Sequence, residues 1–105
     1  MNWKSKENKE LVEAILSLEN FDEATAFLRD LLTESEIKEF ALRLKVAKML
    51  SENVPYLTIE NETGFSSTTV ARVSKWLKTG MGGYTNIINK LHHNSLNQTG
   101  RGLHS

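Results

Sequence analysis

Ser66-Ser67-Thr68-Thr69 is followed by Arg72 and Lys75, a run of hydroxyls and then two long cations at helical spacing. The chemistry these types offer is recognition of an anionic polymer rather than bond making. Short side chains at a helix start let the backbone come close, and its N–H groups and dipole favour phosphate. Arg and Lys further along reach base edges or more phosphates. Catalytic chemistry lacks its parts: no Ser-His-acid or paired-carboxylate spacing stands out among the many Ser and Thr. With no Cys there is no thiol nucleophile, disulfide framework or Cys-based zinc site. His92 and His93 are adjacent, so on a helix they point about 100° apart. No acid accompanies them, and they read as a solvated helix end rather than metal ligands. The expectation is a chain that is not an enzyme and holds no metal and no cofactor.

Charge along the chain supports the same chemistry. Lys plus Arg and Asp plus Glu both number 13 in 105 residues, for a formal net charge of zero. All 13 acids lie at or before Glu62 together with eight of the bases; residues 63–105 hold five bases, three His and no acid. The halves carry −5 and +5, and the acid-free half is the one with the hydroxyl run. The opening residues Met1-Asn2-Trp3-Lys4-Ser5-Lys6-Glu7 contain no apolar core of a signal sequence, and apolar runs are only a few residues long. A cytoplasmic protein with no membrane partner is expected. Trp3 either anchors the first helix or meets a partner.

The elements that must position these residues all read as helices, since the first half has no glycine and the chain one proline. Leu11, Val12, Ile15, Leu16 and Leu18 line one face of a helix over about 5–18. Asn20 with Glu23 opens a second helix that turns Ala24, Phe27, Leu28 and Leu31 inward, and Thr33 with Glu36 opens a third over about 34–51. That third helix has two apolar stripes, one of Ile37, Phe40, Ala41 and Leu44, the other of Leu42, Val46, Met49 and Leu50. A monomer this small has few elements to cover both, which predicts a homodimer centred on the helices of residues 5–54. A well-wrapped monomeric core is the alternative.

Residues 55–79 have the grammar of a helix-turn-helix: a helix over about 56–63, a turn at Gly64 with Phe65 as apolar plug, and a second helix over about 67–78 capped by Ser66 or Ser67. Ile59, Phe65, Val70 and Val73 would fix the angle between the helices. Ser67, Thr68, Thr69, Arg72, Lys75 and Thr79 would then face outward. Glu60 departs from the small residue common where two such helices touch, so its carboxylate must bend outward. A Gly-rich break follows, then a last helix over 84–93, giving one domain over 1–93 and a disordered polar tail over 94–105.

Leu31-Leu32-Thr33-Glu34-Ser35-Glu36, Phe40-Ala41-Leu42-Arg43-Leu44, Asn61-Glu62-Thr63-Gly64, Ser67-Thr68-Thr69-Val70-Ala71-Arg72-Val73-Ser74 and Gly82-Gly83-Tyr84 together resemble the Trp repressor family, in its YerC/YecD-type branch. The likeness covers roughly residues 31–91. It implies an all-α helical bundle, an intertwined homodimer, and two helix-turn-helix units facing successive major grooves of a near-palindromic operator, about 34 Å apart. The implied function is transcriptional regulation, as a repressor, through double-stranded DNA. Ser66, Ser67, Thr68, Thr69, Arg72 and Lys75 are the expected DNA contacts; the rival is a protein–protein adaptor that keeps the shape and docks an acidic partner.

The resemblance also implies an effector site. Thr33, Arg43 and Arg72 match the threonine and two arginines that hold the tryptophan corepressor in the family. Val73 stands where the family has a glycine admitting the indole ring, and Trp76 where it has a small serine. Both add bulk, so a small-molecule corepressor other than free tryptophan is expected if there is one. Trp76 either fills part of that space or packs against the third helix or the dimer partner.

Overall fold

A computed structural model describes the backbone of residues 1–104 and the side chains of residues 1–94. Among the described residues there are six helices and no strand: α1 Lys6–Leu16, α2 Phe21–Leu31, α3 Glu34–Ser51, α4 Tyr56–Thr63, α5 Ser67–Thr79 and α6 Gly83–His104. The chain forms two compact units, Met1–Lys38 and Glu39–Ser105.

In the first unit the helices start where side chains can replace missing backbone acceptors. Ser5 accepts the Asn8 N–H at 3.4 Å, and Asn20 accepts the Glu23 N–H at 2.8 Å. Thr33 and Glu36 bind each other twice, Glu36 N–H to Thr33 Oγ1 at 3.1 Å and Thr33 N–H to Glu36 Oε1 at 2.9 Å, a full capping box. Arg29 closes the end of α2 by donating to the Leu32 carbonyl at 3.1 Å. Neither α1 nor α2 buries a residue: Leu11, Val12, Ile15, Leu16, Leu28 and Leu31 all keep exposed apolar surface.

The second unit holds the core: Val46 and Ala47 from α3, Ile59 from α4, Val70 and Val73 from α5, and Ile88 from α6. Removing each of the Val and Ile side chains from water stabilises the fold by roughly 1.5–3 kcal/mol. The end of α3 is closed by Asn53, whose φ of 61° is the left-handed conformation asparagine tolerates. Pro55 then starts α4, its fixed φ suiting the helix entry. Helix α5 packs against both α4 and α6, so the two ends of the core meet through it.

The last helix differs from expectation at its end. Its backbone runs to His104, past the bound of 93 read from the sequence, although Gly100 and Gly102 lie within it. The disordered tail expected over 94–105 falls outside the described side chains from residue 95 on.

Candidate nucleic-acid interface

The turn between α4 and α5 is built by three adjacent residues. Gly64 takes φ 76° and ψ 2°, and its N–H bonds the Glu60 carbonyl at 2.8 Å. No atom lies within 4 Å of where a Cβ would stand, so glycine is required here by conformation and not by space. Thr63 donates its hydroxyl to the Ile59 carbonyl at 2.7 Å and accepts the Phe65 N–H at 3.2 Å, stitching the helix end to the turn. Sequence reasoning did not single out Thr63, although a hydroxyl residue just before a turn glycine is a signal for this role. Phe65 is half-buried against the hydrophobic core, as the plug of a helix-turn-helix requires.

Ser66 caps α5, accepting the Thr69 N–H at 3.2 Å, with the Ser66 and Thr69 hydroxyls also 3.2 Å apart. Those two hydroxyls therefore serve first to position the helix. Ser67 and Thr68 are exposed, and so are Arg72, Lys75 and Thr79. Along α5 the buried residues are Val70, Val73 and Ser74, and Thr68, Arg72, Lys75 and Thr79 fall on the opposite side at 3.6-residue periodicity. The Thr79 hydroxyl turns back to the Lys75 carbonyl at 2.8 Å. The stripe offers the free hydroxyl-bearing Thr68 and two cations to solvent. Glu60, by contrast, is half-buried on α4.

At the far end of α5, Gly80 lets the chain leave the helix while its N–H bonds the Trp76 carbonyl at 2.9 Å. A Cβ there would collide with that same carbonyl oxygen. Trp76 is 54% exposed and lies beside the stripe of Thr68, Arg72 and Lys75, with Lys75 Nζ 5.8 Å from its ring centroid, a cation–π distance. Thr68, Arg72, Lys75 and Trp76 line one shallow depression on the surface of α5. Trp76 also borders an open apolar cleft of about 450 Å³ with Leu44, Met81, Tyr84 and Ile87.

Of the residues matched to an effector site, Thr33, Arg43 and Val73 are engaged within the chain. Thr33, in the first unit, spends its hydroxyl in the capping box with Glu36. Arg43, in the second unit, pairs with Glu39 at 3.3 Å and stacks over the Phe40 ring at 5.5 Å. Val73 is a core residue, 4% exposed. Arg72 and Trp76 are brought together on the surface of α5; Val73 faces the other way.

Comparison with known proteins adds three findings. A family model described as Trp repressor protein matches residues 6–92. The chain is 40% identical over 88 residues to protein YerC of Bacillus subtilis (strain 168), covering 84% of this chain and 85% of that one. It is also similar to a crystal structure of a TrpR-like protein from Eubacterium eligens, with a TM-score of 0.81 at 40% identity, over 86% of this chain and 93% of that one.

Proposed function

The chain belongs to the Trp repressor protein family, and from that premise we propose that it binds double-stranded DNA sequence-selectively as a homodimer and represses transcription. The observation that carries the proposal is the face of α5. Thr68, Arg72 and Lys75 are exposed opposite the buried Val70, Val73 and Ser74, at the end of a turn whose geometry Gly64 sets. A helix docked in a major groove through that face reads bases with Thr68, Arg72 and Lys75. Ser66 and Thr69 hold the helix start, and Ser67 supplies a phosphate contact. No carboxylate follows Glu62 to repel the phosphate array.

The homodimer is supported by α1 and α2, which bury nothing yet expose Leu11, Val12, Ile15, Leu28 and Leu31 along their apolar faces. A second copy is the simplest cover for such surface, and a two-fold pair matches a near-palindromic site. As a regulator without cysteine the protein works in the cytoplasm and not as an enzyme. Free tryptophan is not the corepressor in this reading, since Val73 and Trp76 add bulk where the family admits the indole ring.

Selection of random duplexes on the purified protein tests the reading. A recovered palindrome with two half-sites one helical turn apart is expected. No enrichment at low salt would overturn it and favour an adaptor that docks an acidic protein through the same positive half.

A further inference from the structure

Trp76 is the largest side chain of α5, and none of the base or phosphate contacts proposed above uses it. It follows Thr68 by eight residues and Arg72 by four, so helical periodicity sets its ring on the flank of the stripe that those two form with Lys75. More than half of the residue is open to solvent. It lines one depression together with Thr68, Ala71, Arg72 and Lys75, and no carboxylate lines it with them. The Lys75 ammonium stands over the indole, so the face of the ring and not its edge is turned to the cationic side. An indole carries a large apolar area together with a polar N–H, which suits it to an interface better than to open water.

We infer that Trp76 packs its ring on the deoxyribose of the DNA strand that walls the major groove, a contact to the backbone and not to a base. The inference rests on the DNA-binding reading above. A duplex held by Thr68, Arg72 and Lys75 must cover the depression that they share with Trp76. The helix rise decides what the ring meets there. Eight residues carry it about 12 Å along the axis from Thr68. The groove is itself about 12 Å wide, and in a helix-turn-helix the N-terminal residues of the second helix meet the base edges. With Thr68 at the groove floor, the ring therefore stands at the wall, where sugars alternate with phosphates. Phosphates suit the cations, whereas the C–H face of a sugar suits the indole. Such a contact adds affinity and register without reading sequence.

The test uses the full chain carrying Trp3→Phe, which leaves Trp76 as its one tryptophan, with the selected duplex and a scrambled one. The fluorescence of the free protein should be quenched readily by acrylamide, and either duplex should shield it. Trp76→Ala should weaken binding to both duplexes by about tenfold. The slope of log affinity against log salt should stay unchanged, because no charge is lost. Trp76→Phe should keep most of the affinity. A parent chain that binds while the indole stays as open to acrylamide as before overturns this inference alone. So does a loss confined to the selected duplex, which would make Trp76 a base contact. An indole already shielded before DNA is added also overturns it, in favour of a second copy seated on the ring and the adjoining cleft of Leu44, Tyr84 and Ile87. Failure of the parent to bind any duplex at low salt overturns the DNA-binding reading and this contact with it.

Discussion

Thr33 and Glu36 show how a residue pair can be read twice. The family resemblance assigns Thr33 to a ligand, while the structure gives its hydroxyl to the Glu36 N–H and its own N–H to the Glu36 carboxylate. The Thr33 backbone N–H, and then its hydroxyl, hold the Glu36 carboxyl below its ordinary pKa. A carboxylate whose folded pKa is lowered contributes stability that is fully present above the ordinary glutamate value. That stability is lost as pH falls through the lowered one. NMR titration of the Glu36 carboxyl should therefore give a midpoint below that of exposed glutamates, and Thr33→Ala, which removes the hydroxyl but keeps the backbone N–H, should return it only part of the way. An unshifted midpoint in the parent chain would mean that the capping box does not persist in solution. Arg72 carries the corresponding test at the reading face. It is exposed and has no ion-pair partner among the described residues. Arg72→Ala should weaken binding to the selected duplex by about 1–3 kcal/mol if the guanidinium makes a bidentate base contact. Gel-shift affinities on the selected and a scrambled duplex separate that loss from a uniform loss of charge; no change on either would remove Arg72 from the reading surface.

At the scale of elements, α4 and α5 are only as well aimed as the turn between them. Gly64→Ala places a Cβ in open space but keeps φ near 76°, so its cost is the left-handed strain alone, about 1–2 kcal/mol. Chemical denaturation should show that loss, with the helical circular dichroism of the folded state retained. A neutral effect would place the turn under no conformational constraint. Where helices begin was legible in the sequence because caps are local: Asn20, Thr33 and Ser66 each bind a backbone N–H three residues on, a distance the sequence itself displays. The stop at Gly64 was legible for the same reason. The end of α6 was not, since residues 94–105 are polar, contain glycine and lack an apolar period, and the helical backbone passes Gly100 and Gly102 all the same. The exposed stripe of α5 followed from periodicity. Trp76 was undecided, because an indole at a helix flank is buried or exposed according to what lies across from it. Here Lys75 and an open cleft lie across from it.

For the whole molecule, a net charge of zero conceals a division of labour that a salt titration can measure. The acidic first half supplies the uncovered helices α1 and α2, and the acid-free second half presents Arg72 and Lys75. If binding is driven by phosphate neutralisation, log affinity for the selected duplex falls linearly with log salt, with a slope of about −0.9 for each phosphate contacted. A dimer contributes both reading heads, so the slope should correspond to an even set of contacts shared between two half-sites. Cutting the duplex to one half-site should reduce it to about half. Sedimentation of the free protein at micromolar concentration should meanwhile give twice the 11.9 kDa of one chain. The two measurements constrain each other: a dimer mass with a slope unchanged on a half-site would mean that only one head touches DNA. A monomer mass would leave Leu11, Val12 and Ile15 without the cover proposed for them and would reject the dimer. Affinity independent of salt would reject the phosphate reading of the acid-free half, because the cations of that half gain nothing from a neutral partner.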